Sequence, residues 1–301
     1  MGPTIDRNAT NAFAHFALGM SHASTADWPR ARAPLSRAVE LMPGEDQFEE
    51  GLFQARLALG DFAALETGLR AKLQEEPADY AATWQLGQVL LAQNQPEAAE
   101  ALVVDYARHA RAALEQAADP FVSSLQAQLA YAAGNFERAL TNATKLNEDL
   151  ARLHRIRILA ESGRAKEAAP LLEAGKEGFP DPFDTLAFSL ACAQAGETAL
   201  AGTWRTRALS ELAEGRADAT IAAEMLQREQ PAPLAEVLDL SIGARHKAIL
   251  LVALAEHSST DATALRALAR QLNVTREFPY HLVNQLAATA ATPTAKPADG
   301  R

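Results

Sequence analysis

The chain has 301 residues, 48% hydrophobic but only 6% aromatic, with a formal net charge of −10 and one cysteine, Cys192. Such a length supports a sizeable core in about one to three domains or in one elongated array, and a lone cysteine excludes both a disulfide scaffold and a cysteine-built metal site. The acidic balance argues against a general electrostatic grip on nucleic acid or anionic lipid.

In chain order, residues 1–11 read as an N-terminal arm with neither the basic start nor the apolar stretch of a secretory signal, which predicts a cytoplasmic protein. From residue 12 the chain becomes self-similar. Ala26-Asp27-Trp28, Gly60-Asp61-Phe62, Gly134-Asn135-Phe136 and Gly163-Arg164-Ala165 each pair a small residue with a polar one, with Ala31, Leu65, Ala139 and Ala168 five positions on. Leu18-Gly19 precedes the first copy, and Leu35, Ala38 and Pro43 follow it; Leu52, Leu69 and Pro77 repeat the arrangement, then Trp84, Leu86-Gly87, Ala99 and Val103. Units start near residues 12, 46, 80, 120, 149, 182, 215 and 245. The third is the longest, with an unbroken helical pattern from Pro96 to Gln116. Asp-Pro-Phe at Asp119–Phe121 and again at Asp181–Phe183 predicts an N-cap aspartate with proline at the first helical position. The last two units keep the apolar spacing without the glycines. Ala248–Ala255 is too short an apolar run to span a bilayer and reads as a buried helix. A capping helix is expected over Phe278–Leu286, and residues 291–301 lack the apolar content to fold.

These residues resemble the tetratricopeptide repeat family, whose pattern over 34 residues runs W-x₂-L-G-x₂-Y, A-x₃-F and P. The resemblance covers nearly the whole chain and is clearest in the first six units. It implies an all-α, right-handed solenoid of about eight stacked helical hairpins plus the capping helix, forming one domain over residues 12–290. Small residues such as Gly19, Gly87 and Ala139 would let paired helices approach closely, and stacking would bury an apolar stripe that no single hairpin can bury.

Little chemistry is encoded. The sequence has no G-x-G-x-x-G, P-loop, H-E-x-x-H or G-x-S-x-G motif. His15, His22 and Cys192 fall at helix-packing positions, and Glu45-Asp46 with Glu49-Glu50 reads as a solvated helix start. No catalytic residue, cofactor or metal is predicted. Charge is uneven: residues 1–150 hold 20 acidic and 11 basic side chains, net −9, and residues 151–301 hold 18 and 17, net −1. Arg152, Arg155, Arg157, Arg164 and Lys166 gather in the fifth unit.

The resemblance implies a concave groove lined by fixed positions of each first helix. The family's chaperone adaptors clamp a terminal carboxylate there with lysine and asparagine in the first unit; Phe16 and Met20 stand at those places, so that clamp is absent. Gln54, Gln88, Gln128 and Arg157 share position nine of units two to five, forming a ladder with one rung per unit. A glutamine amide donates and accepts, matching an extended peptide backbone, and Arg157 could take a carboxylate. Trp84 and Tyr131 would add rigid apolar anchors. Two readings of the ladder stand open: peptide recognition, or glutamine as a good helix former at solvated positions. The expectation is a non-catalytic scaffold or adaptor for a protein or peptide partner, without nucleic acid or membrane insertion. The alternatives are a self-assembling repeat protein, hence a homo-oligomer, or the regulatory arm of an enzyme complex.

Overall fold

The computed structural model describes residues 11–115, 119–146, 148–174, 179–229, 232–256, 258 and 261–288, and statements about structure concern these. Among them the regular structure is entirely helical, as the apolar period of the sequence leads one to expect. The helices are α1 Ala12–Ala23, α2 Trp28–Leu41, α3 Asp46–Ala58, α4 Phe62–Glu75, α5 Tyr80–Ala92, α6 Pro96–Leu114, α7 Asp119–Ala132, α8 Phe136–Ala143, α9 Glu148–Glu161, α10 Ala165–Ala174, α11 Pro182–Gln194, α12 Thr198–Ala213, α13 Ala217–Gln227, α14 Leu234–Asp239, α15 Ala244–Ala255, α16 Ala262–Leu272 and α17 Tyr280–Ala288. Consecutive helices pack as hairpins, consistent with a solenoid. The arm residues 1–10 and the tail 291–301 lie outside the described residues.

One conformational device recurs at the hairpin turns. Gly60, Gly134, Gly163 and Gly196 take φ between 75° and 80°, and at the matching turns Ala26 (59°) and Asn94 (60°) adopt the same left-handed conformation. A residue there reverses the chain just before the next helix, and only glycine adopts it without a Cβ penalty. This explains the small-polar pairs of the sequence: the left-handed residue ends one helix and its polar neighbour opens the next. The Asp27 carboxylate accepts from Arg30 N at 3.3 Å and the Asn135 amide oxygen from Arg138 N at 3.2 Å. Asp181 caps α11 through Phe183 N at 2.9 Å, with Pro182 at the first helical position. Asp119 differs: it lies inside the first turn of α7, where Arg111 pairs with it at 2.9 Å.

Small residues permit the close approach. A Cβ added to Gly19 would strike Leu35, and one added to Gly87 would strike Leu129. Ala31, Ala139, Ala165 and Ala168 are fully buried at other helix crossings. α6, at 19 residues, outruns its neighbours and ends at Leu114; Gln116 lies outside the described residues.

The pattern changes after α12. α14 has only six residues, and no left-handed turn residue follows Gly196. α15 is buried on every side from Lys247 to Ala255 and packs against α11 and α13. Lys247, wholly buried, donates its ammonium to the Leu238 carbonyl at 2.7 Å; burial lowers it to about 8. No described helix is long and apolar enough to cross a membrane.

After α16 the chain turns back across the first half of the solenoid. The Trp28 indole donates to the Gln271 carbonyl at 3.1 Å, and Val274 packs against the core of the first units. Residues 271–282 form a strap across α5, α7 and α9. Phe278 and Pro279 belong to this strap, joined by a cis peptide bond, and α17 begins only at Tyr280.

Candidate functional site

The strap meets the residues that share position nine. Gln88 is 2% exposed on α5, and its amide oxygen accepts the backbone N–H of Arg276 at 3.1 Å. The Arg276 guanidinium then donates to the carbonyls of Leu91 (3.3 Å) and Ala132 (3.0 Å). Those carbonyls sit in the last turns of α5 and α7, where helices leave acceptors unsatisfied and the dipole favours a cation. Stacking on Tyr280, with the guanidinium carbon 5.2 Å from the ring centre, completes its seat.

One rung further, Tyr131 of α7 is buried, and its hydroxyl donates to Glu161 of α9, whose second carboxyl oxygen accepts the Leu282 N–H at 2.9 Å. Burial raises Glu161 to about 8, against the hydrogen bonds from Tyr131 and the strap backbone, so its ionised form is disfavoured. His281 donates from Nε2 to the Tyr131 carbonyl at 2.7 Å; burial lowers its imidazole, which favours the neutral donor tautomer.

At the far end Arg157 stands 5.8 Å above the Phe278 ring and donates to Asp184 at 3.0 Å. Its Nε is buried without a hydrogen-bond partner. Arg245 from α15 reaches the same centre, donating to the Phe278 carbonyl at 2.9 Å and to Asp181 at 3.2 Å, and pairing with Asp184. Asp184 is almost wholly buried and burial raises it, while Arg245 and Arg157 oppose the rise. At Asp181 burial is the largest single influence, but His246 at 2.7 Å, the Phe183 N–H and Arg245 together outweigh it and hold the carboxyl below its ordinary value.

Between strap and wall lies a cavity of about 270 Å³ lined by Trp84, Gln128, Tyr131, His154, Arg157, Ile158, Arg245, Arg276, Glu277 and Phe278. Burial, and then the Arg157 charge, lowers His154 to about 4, so it lines the space as a neutral ring. Glu277 is exposed as a residue and also lines the cavity. Desolvation of its carboxyl, and then the charge of Glu50, raises it against Arg245 and a hydrogen bond from Trp84.

Trp84, Gln128, Tyr131 and Arg157 are thus brought to one cavity, and Gln88 binds the strap beside it. Gln128 also donates to Ser124 at 3.3 Å. Gln54 stands apart: its amide donates to Glu50, one turn back on α3, at 2.9 Å. No protein-family model matches the sequence, and no curated protein matches it either. Site and fold therefore stand on their own geometry.

Sequence reading missed Arg245, Arg276, Glu277, Phe278 and Glu161. Their partners lie far along the chain, 188 positions away for Arg276 and Gln88. Thr275-Arg276-Glu277-Phe278-Pro279 also carries no helical period. A proline followed by an uncapped helix start was the one available signal. Cys192, at the packing position expected of it, is buried, and burial pushes its thiol up to about 12. Among the described residues no group of three or more His, Cys, Asp or Glu is placed to hold a metal ion.

Proposed function

We propose that this chain is a non-catalytic scaffold of tetratricopeptide type, acting in the cytoplasm, that binds a protein or peptide partner along its concave wall. The observation that carries this reading is the contact of Gln88 with the backbone N–H of Arg276. A rung of the wall there holds a non-helical stretch of chain through a main-chain group, whatever side chain that stretch carries. The stretch from Val274 to Glu277 is half-buried or exposed, whereas Phe278, Leu282 and Val283 belong to the core. A partner segment replacing only the former would engage Gln88, Gln128 and Trp84 without dismantling the fold. Trp84 is the rigid anchor in this scheme.

The test compares three forms of the tagged chain in retaining partners from native lysate. Arg276→Ala loosens the strap and should retain more partner. The Trp84→Ala, Gln88→Ala, Gln128→Ala triple variant should lose it, with an unchanged helical circular-dichroism spectrum. Equal retention by all three forms would move the binding surface off the concave wall.

A further inference from the structure

The cavity under the strap presents both signs of charge in a small space. Arg157, Arg245 and Arg276 supply guanidinium groups and Glu277 a carboxyl, with Trp84 as a flat wall. Asp184 pairs with Arg157 and Arg245, and Asp181 with Arg245, so three carboxyls answer three guanidiniums around this space. A ligand of no net charge that carries both signs leaves that balance intact, whereas a lone anion or cation upsets it. Arg157 spends one donor on Asp184 while its side chain stays 32% exposed, so donors of its five-donor guanidinium remain for a carboxylate. A volume of about 270 Å³ is at the small end of ligand cavities and fits one compact molecule, not an extended chain.

We propose that this cavity is a binding site for a free amino acid with a flat apolar side chain, its carboxylate on Arg157, its ammonium on Glu277 and its ring against Trp84. The site exists only with the strap in place and uses Trp84 and Glu277, so this ligand and a partner that displaces Val274–Glu277 would exclude each other. Glu277 suits the ammonium because burial and the neighbouring Glu50 charge destabilise its ionised form, and a cation relieves both. His154, beside Arg157 on α9, is a built-in reporter. A carboxylate placed on Arg157 offsets the guanidinium charge that helps to lower the imidazole, so its resonances should move on binding.

The probes are L-phenylalanine, hydrocinnamate (no ammonium), phenethylamine (no carboxylate) and L-alanine (no ring), titrated into the full chain. The readouts are the His154 imidazole resonances and calorimetry. L-Phenylalanine should give a saturable His154 shift, and each truncated probe should bind at least about tenfold more weakly. Glu277 is exposed enough for Glu277→Gln to fold. That variant should weaken L-phenylalanine about tenfold while hydrocinnamate binds as before or more tightly. The proposal is overturned if L-phenylalanine produces no saturable His154 shift. It is equally overturned if hydrocinnamate matches L-phenylalanine on the wild type, or if Glu277→Gln leaves L-phenylalanine affinity unchanged.

Discussion

The helices up to α12 and those from α13 onward are built on different rules. In the first part a left-handed residue recurs at each hairpin turn, from Ala26 through Gly60, Asn94, Gly134 and Gly163 to Gly196, and each hairpin buries its stripe on the next. In the second the turns lose that residue, α14 shrinks to six residues, and α15 is buried all round. The strap that follows is held by side chains of α5, α7 and α9 and by helix-end carbonyls. The first part is a repeating local solution, and the second is a non-local one that uses the first as its template. Local order is written in short sequence windows, whereas the strap's position is written in pairs far apart.

Four perturbations sharpen or break that contrast. Phe278 is 6% exposed, stacked 6.1 Å from Phe179 and lying under Arg157, so it carries the strap into the core. Phe278→Ala should cost about 3–5 kcal/mol in chemical denaturation. A cost below about 1 kcal/mol would mean the strap is merely draped over the groove.

Glu161 should make stability depend on pH. Its folded value of about 8 exceeds the ordinary 4.5, so the folded chain holds the extra proton and stability falls as pH rises between them. His154 works the other way, since a folded value of about 4 against 6.5 removes stability as pH falls through that range. His154 opposes Glu161 below pH 6.5, and Lys247, lowered to about 8, opposes it toward pH 8, so the Glu161 effect is read between pH 6.5 and 8 as the difference between wild type and a variant without the carboxyl. There wild type should lose about 2 kcal/mol relative to Glu161→Gln. Parallel pH profiles for the two proteins would contradict the buried, protonated carboxyl.

Within the repeating part, Gly87→Leu should destabilise by about 1–3 kcal/mol, because even a Cβ there strikes Leu129. An unchanged denaturation midpoint would show that α5 and α7 do not cross closely. The smallest effect is a gain. Ala26 holds φ at 59° in a turn that elsewhere uses glycine, and Ala26→Gly should stabilise by about 0.5 kcal/mol as the Cβ penalty goes and chain entropy offsets part of it. A loss of stability would mean that turn is not strained.

The helical fold was legible because hydrophobic period and turn chemistry are both short-range signals. Gln88, Tyr131 and Arg157 were legible as members of one wall because a repeat carries equivalent positions along one line. That wall's occupant was not legible. Arg276 fits through backbone carbonyls of Leu91 and Ala132, which have no residue signature, and Glu161 looks in sequence like any surface acid closing a helix. Gln54 shows the converse: the same repeat position, but spent on Glu50 within its own helix.

That the chain's own strap occupies the wall of α5, α7 and α9 is best checked at the Arg276 amide, because this N–H lies outside any helix and has Gln88 as its acceptor. Residue-resolved hydrogen exchange should find it protected like a core amide. In Gln88→Ala it should exchange at least about tenfold faster, while the Leu282 amide, held by Glu161, stays protected. An Arg276 amide exchanging at the rate of an open loop in the wild-type protein would contradict the claim.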